Sequence, residues 1–355
     1  MADLSYTSSS SALPIPGAAA RAGLIALIRR LPAGALIACT LAPLLHLVMA
    51  WIVFPEPQCS PQLRHKLLAL TKNARPTVVF AGDSRMQSGA NPLIVADVLG
   101  LSPKDVANIA VEGCAPSNLR AAYRTYAARF AARPVVVMNI AFFSINDSAE
   151  VLLEDETLWS VSVPERFHLV SPSRAFATSF MPELTLVRSI VGDGVRLPDT
   201  MNTYRGFGTL HESTINHLSP IQLNAKCRIF RDGWFRNPRI DGVTWRSFEQ
   251  SVDALRRAGV QVVLVDLPLH EVFESWLAKT PEAEALHRFH TKQAAYCADR
   301  GIPLLRYTFN EITQGATGPA FRDFCHLTNV GATRLSQKIA ADLQRLMQQG
   351  RIHVP

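Results

Sequence analysis

Three residue types suited to acyl chemistry stand out in this chain. Ser84 lies in "TVVFAGDSRMQSG", and Asp323 and His326 lie in "FRDFCHLTNVGATRLSQKIA" near the C-terminus. A serine hydroxyl is a poor nucleophile until a base within hydrogen-bond reach takes its proton. A histidine with an aspartate three residues before it can supply that base: the carboxylate holds one ring nitrogen and leaves the other for the serine. The chemistry on offer is attack on an ester carbonyl through a covalent acyl-serine. The plainer alternatives are a turn serine and a helix-capping cluster.

These residues need a scaffold that brings positions 84 and 326 together. Short β-rich runs recur at Thr77–Ala81, Val106–Val111, Val135–Ile140, Val260–Asp266 and Pro303–Tyr307. Helical patterns fall between most of them, at Leu119–Ala132, Phe248–Ala258 and Pro281–Arg300. Leu335, Ile339, Leu343 and Leu346 mark one face of a last helix, which Thr328 or Asn329 would cap. Strands alternating with helices predict an α/β fold, a three-layer doubly wound parallel sheet of the flavodoxin-like kind. Ligands of such sheets bind at the carboxyl ends of the strands, and Ser84 follows one such end. Residues 148–245 break the rhythm with many Pro, Gly and aromatic residues. A structureless loop of that length is improbable in a compact domain, so an inserted cap region is expected there.

The chain has 355 residues, 48% of them hydrophobic, and a net charge of +7. The basic residues are scattered, which argues against nucleic acid as a partner and suits an anionic lipid or envelope polymer. Ala33 to Phe54 carry no charged residue, and Arg21, Arg29 and Arg30 precede them. That length and flank predict a transmembrane helix with its N-terminus inside. A cleaved signal peptide ending at Val48-Met49-Ala50 is the alternative. The expected organisation is a disordered cytoplasmic tail (1–32), a span (33–54), a linker (55–72) and one domain (73–349) lying outside the inner, cytoplasmic membrane, in the periplasm. Five cysteines follow the span, and no Cys-x-x-Cys spacing suggests a metal or redox centre. No metal or cofactor is expected, and the odd count leaves at least one thiol free or paired with another chain.

"FAGDS" and "DFCHLTNVGA" together resemble the first and last blocks of the SGNH (GDSL-type) hydrolase family. The resemblance implies Ser84, Asp323 and His326 as catalytic triad. It implies an oxyanion hole of Ser84, Gly113 and Asn146, since "NIAVEG" and "FFSIND" stand where the family's middle blocks lie. Ala110 and Ser144 replace two of the family's glycines, and Asn139 is the alternative to Asn146, less suited because it falls inside the strand. The string "GDSRMQSGANP" with "VDLPLHEVF" is similar to membrane-anchored SGNH-like proteins of bacterial envelope polysaccharide acylation. That subgroup implies an esterase or O-acyltransferase. Its expected partners are an acyl ester donor, a carbohydrate or envelope polymer and a membrane acyltransferase. His270 and Arg85 become candidate substrate contacts. The alternative is a non-catalytic assembly or binding protein on the same fold. On that fold Cys114 and Cys325 border the same serine, so a disulfide between them is expected, with two buried free thiols as the alternative.

Overall fold

The computed structural model describes residues 75–114, 130–148, 162–180 and 213–354, together with Leu41, Leu63, Lys66, Leu67, Leu70, Leu119, Arg120 and Tyr123. Five parallel strands form its sheet: β1 (Val78–Ala81), β2 (Val106–Asn108), β3 (Val135–Asn139), β4 (Gln261–Asp266) and β5 (Leu304–Arg306), in the order β2-β1-β3-β4-β5. Val79 pairs with Ala107 on one side and Val136 on the other, and Val137 with Val263. β1 and β3 are buried throughout, as expected of strands covered on both faces.

Alternation along the strands builds two cores. Val79, Ala81, Val136, Met138, Val262 and Leu264 face one layer, where α6 (Val243–Arg257) supplies Phe248, Val252 and Leu255 and α8 (Glu282–Arg300) supplies Phe289 and Tyr296. Val78, Phe80, Val135, Val137, Val263 and Val265 face the other. There α2 (Pro92–Leu99) adds Val95 and Ala96, and α10 (Asn329–Gln348) adds the Leu335, Ile339, Leu343 and Leu346 face. Phe248, Phe273 and Phe289 are fully buried, each contributing about 1.5–3 kcal/mol by leaving water.

Short elements complete the carboxyl edge of the sheet: α1 (Ser84–Gly89), α7 (Glu271–Leu277) and α9 (Phe309–Thr313). The insert contains α3 (Val163–Leu169), α4 (Pro172–Phe180) and α5 (Pro220–Trp234), the last opened by a Ser219–Gln222 capping box. Its aromatic residues pack into the domain, Phe142 stacking on Phe235 and Phe230 meeting Phe273 and Phe324.

One feature differs from the sequence-based expectation, and others lie outside the described residues. Of the stretch read as a linker, Leu63, Lys66, Leu67 and Leu70 are helical and buried, at the spacing of one helix face, and the three leucines join the first core. Leucines four apart serve a helix that packs as well as they serve a spacer, so composition alone did not separate the two. The expected span, 33–54, lies outside the described residues except for Leu41, as do the tail and most of the 119–132 helix. Among the described residues no helix is long and apolar enough to cross a membrane.

Candidate active site

β1 runs into a Gly82-Asp83 turn, and the turn opens α1 at Ser84. Asp83 caps that helix by accepting the Arg85 N–H at 2.9 Å. Asn139, the last residue of β3, grips Asp83 twice: its Oδ1 accepts the Asp83 N–H at 3.1 Å, and its Nδ2 donates to Asp83 Oδ1 at 2.9 Å. Gly82 has φ +132, and a Cβ there would lie 1.8 Å from Asn139 Oδ1. Only glycine lets β1 turn so close to β3. Asn108, ending β2, secures the other end of α1 by donating to Met86 O at 3.0 Å and Ala90 O at 2.8 Å. The serine's helix is thus held at both ends by asparagines that terminate strands.

The histidine arrives from a tight loop. Phe321 and Leu327 form an antiparallel bridge, and the Arg322 N–H donates to His326 O at 2.9 Å. Inside the loop the Asp323 carboxylate accepts the N–H groups of Cys325 at 3.0 Å and His326 at 2.9 Å, and the His326 Nδ1–H at 2.9 Å. Of the two residues able to cap the last helix, Thr328 does so, its Oγ1 accepting the Gly331 N–H at 3.4 Å. Gly331 is required, since a Cβ would lie 2.1 Å from Ala320 O. Ser336 of α10 accepts the Asn91 N–H at 2.8 Å, joining this last helix to the segment that follows the serine.

Ser84 Oγ lies 2.8 Å from His326 Nε2. Serine, histidine and aspartate therefore form one continuous hydrogen-bonded line. With Nδ1 donating to Asp323, Nε2 is the acceptor for the serine hydroxyl. Burial opposes ionisation of Asp323, but the hydrogen bond and charge of His326 and the loop N–H groups prevail and hold its carboxyl down at about 2. At His326 burial disfavours the imidazolium. The adjacent Cys325 sulfur and the Asp323 carboxylate act the other way, and the imidazole is raised above its ordinary range. Burial pushes the Cys325 thiol up, so at neutral pH it is uncharged and Asp323 supplies the electrostatic effect.

The remaining expected site residues are placed differently from one another. Gly113 has φ +65 in the turn after β2, a loop drawn to the serine's turn by the Val111 N–H donating to Gly82 O at 3.0 Å. Asn146 is not hydrogen-bonded to Ser84. Its Oδ1 accepts the Arg239 N–H at 2.8 Å and the Ser148 N–H at 3.1 Å, and its Nδ2 faces Trp234 O at 3.4 Å. Asp147 accepts the Val243 and Thr244 N–H groups at 2.8 and 2.9 Å and so caps α6, whose own N-cap is Gly242. The Asn146-Asp147 pair clasps the returning end of the insert. Asp147→Ala is expected to lower unfolding stability by about 1–3 kcal/mol. An unchanged midpoint in urea would show that α6 does not depend on this cap.

His270 caps α7, its Nδ1 accepting the Val272 N–H at 3.2 Å, and its ring packs edge-on to Phe309 and Phe321. Burial lowers it to about 4, against the pull of Asp323, so it is neutral. Its backbone N–H donates to Phe324 O at 2.9 Å, which braces the loop that carries His326. Arg85 turns inward rather than to solvent. It is 4% exposed and its Nη2 donates to Leu267 O and Pro268 O. Cys114 and Cys325 are both buried, and no disulfide joins them. The expected disulfide is therefore not formed: adjacency of loops along one edge does not fix the direction of each Cβ. Asn139, the less suited alternative by sequence, holds the serine's turn through Asp83. Its signal was a lone carboxamide closing the apolar run "VVVMN".

No protein-family model matches this sequence, and no curated protein does either. Among the solved structures that resemble the chain, three do so at low identity. A protein assigned as an acylhydrolase from Bacteroides fragilis is 14% identical, with TM-score 0.40, over 82% of this chain and 97% of that one. A GDSL-like lipase from Bacteroides thetaiotaomicron is 11% identical, with TM-score 0.39, over 81% and 98%. A protein assigned to the lipolytic G-D-S-L family from Desulfitobacterium hafniense is 10% identical, with TM-score 0.35, over 75% and 98%. Likeness at these scores carries no functional argument; the distances around Ser84 do.

Proposed function

We propose that this chain is a serine acyl-ester enzyme of the SGNH type, an esterase or O-acyltransferase that works through an acyl-Ser84 intermediate on an envelope glycan. The observation that carries this reading is the line from Ser84 Oγ to His326 Nε2 at 2.8 Å and from Nδ1 to Asp323 at 2.9 Å. The first and last sequence blocks that resemble the SGNH hydrolases support it.

In the first half-reaction His326 takes the Ser84 proton as the serine oxygen bonds to the ester carbonyl carbon. Asp323 stabilises the imidazolium that forms. In this reading the backbone N–H groups of Ser84 and Gly113 serve as oxyanion donors, each such donor contributing about 3 kcal/mol of transition-state stabilisation. The leaving alcohol departs with the proton from His326. In the second half-reaction water or a sugar hydroxyl gives its proton to His326 and attacks the acyl-serine, which restores the serine and releases acid or a new ester. Hydrolysis of p-nitrophenyl acetate by the full chain, lost in Ser84→Ala, tests the reading. Equal turnover by the variant would remove Ser84 from the chemistry.

The same proposal places the domain outside the inner membrane on an N-terminal anchor. The uncharged run 33–54 behind Arg21, Arg29 and Arg30 supports this. Reporter domains fused after residue 60 are expected to be active only outside the cytoplasm. A fusion active in the cytoplasm reverses the orientation.

A further inference from the structure

Beside the triad, the carboxyl edge of the sheet encloses a cavity of about 120 Å³. It opens where β3, β4 and β5 end, the region in which doubly wound sheets take ligands. Phe142, Phe235 and Phe289 form an aromatic wall. Arg85, Asp266, Glu274, His290 and Arg306 bring charge to the same space. Ser84, His326 and Asp323 do not line it, but Arg85 follows the serine directly.

The polar side chains are not fully used by one another. Asp266 accepts from Arg306 Nε at 2.9 Å and lies 3.4 Å from His290 Nε2. Arg85 spends its Nη2 on the carbonyls of Leu267 and Pro268, and its guanidinium lies 5.8 Å from the centre of the Phe143 ring. Its Nε–H, although buried, has no hydrogen-bond partner among the described residues. Leaving a charged donor dry and unpaired is costly, and this one belongs to a residue lining a cavity. Glu274 lies close enough to Arg85 to feel its charge.

The formal charges indicate what belongs there. Two guanidinium groups, Arg85 and Arg306, stand against two carboxyl groups, Asp266 and Glu274. An added anion would meet both carboxylates, and an added cation both guanidiniums. A neutral hydroxyl group has no such conflict: its oxygen accepts from Arg85 and its O–H donates to Glu274. The C–H face of a sugar or polyol suits the phenylalanine wall. The volume accommodates a three- or four-carbon polyol or one edge of a pyranose ring and leaves no room for a long acyl chain.

We propose that this cavity is a subsite for a neutral vicinal diol, carried by a sugar or by glycerol, with Arg85 and Glu274 as its specificity-determining residues. Its assignment to the acyl acceptor rests on the acyl-Ser84 reading; the binding itself does not. An acceptor held by the residue that follows the nucleophile would favour transfer over hydrolysis by raising the local concentration of a competing hydroxyl.

The test is ligand-observed NMR on the full chain carrying Ser84→Ala, which removes acyl chemistry from the measurement. Methyl α-D-glucopyranoside, glycerol and malonate are titrated separately. Saturable binding of at least one diol is expected, with malonate not bound; the tighter of the two identifies sugar or glycerol as the source. Adding Glu274→Gln should weaken that diol on the order of tenfold, as expected for one charged hydrogen bond. Arg85→Lys, which keeps charge and loses the Nε donor, should weaken it at least as much. Arg85 is buried, so Glu274→Gln decides the matter if the lysine variant does not fold. Saturable malonate binding without diol binding, no binding of any probe, or diol binding indifferent to Glu274→Gln each overturn the proposal. Failure of Ser84 to form an acyl-enzyme would refute the catalytic reading and leave this result standing.

Discussion

Asp323→Asn is expected to slow fluorophosphonate labelling of Ser84 by about 10⁴-fold, with Ser84→Ala and His326→Ala losing labelling altogether. The asparagine nearly preserves shape but changes the proton pattern. Asp323 accepts only, so His326 must carry its proton on Nδ1 and present a bare Nε2 to the serine at 2.8 Å. An asparagine can donate to Nδ1, which moves the proton to Nε2 and leaves the serine without a base. The pH profile offers a separate readout. Labelling needs neutral His326, and Asp323 stabilises the charged form, so the wild-type rate should rise with pH through a midpoint above the ordinary histidine value. In Asp323→Asn that midpoint should fall, because burial then acts without the opposing carboxylate. Normal labelling in His326→Ala would eliminate His326 as the base, and an unmoved midpoint in the asparagine variant would eliminate Asp323 as its partner.

Gly82→Ala is expected to cost at least about 3 kcal/mol and to reduce labelling with it. The backbone at φ +132 is a region that L side chains rarely adopt, and the new methyl would lie 1.8 Å from Asn139 Oδ1. Relief requires Asn139 to swing away, which breaks both of its bonds to Asp83. Asp83 is only 3% exposed and its Oδ2 already has no partner, so it has no solvent contact to fall back on. Thermal unfolding and labelling rate measured on the same preparation check this. An alanine variant of wild-type stability would mean that the turn has room the distances deny.

The scaffold could be read in the sequence where one force dominated. Val78–Phe80 and Val135–Met138 are unbroken apolar runs because both faces of those strands are covered, and a run of that kind leaves few alternatives. Ser84, Asp323 and His326 were legible because each sits beside the turn or loop chemistry that fixes it. Asn146 and Asn139 were harder. "FFSIND" carries the residue types of an oxyanion block, yet its Asn and Asp answer to backbone N–H groups of 239, 243 and 244, about a hundred residues later. A single sequence does not reveal which distant chain returns to claim a side chain. Asn139 reads as the less suited alternative because it lies within a strand, although a strand's final residue can reach the turn that follows the neighbouring strand, as its two bonds to Asp83 show. Arg85 was legible as the serine's neighbour, but its inward turn depends on β4 ending with two free carbonyls.

The hydrogen bond between Ser84 and His326 spans 242 positions of the chain. The histidine's loop is braced by α10, which packs Leu335 and Ile339 into the second core and bonds through Ser336 to Asn91. During synthesis the serine and its turn therefore emerge long before their base. A polypeptide interrupted anywhere before residue 326 carries a nucleophile without the means to use it. The pair is therefore complete only once residue 326 and the helix behind it have been made and have docked on the sheet that already carries the serine.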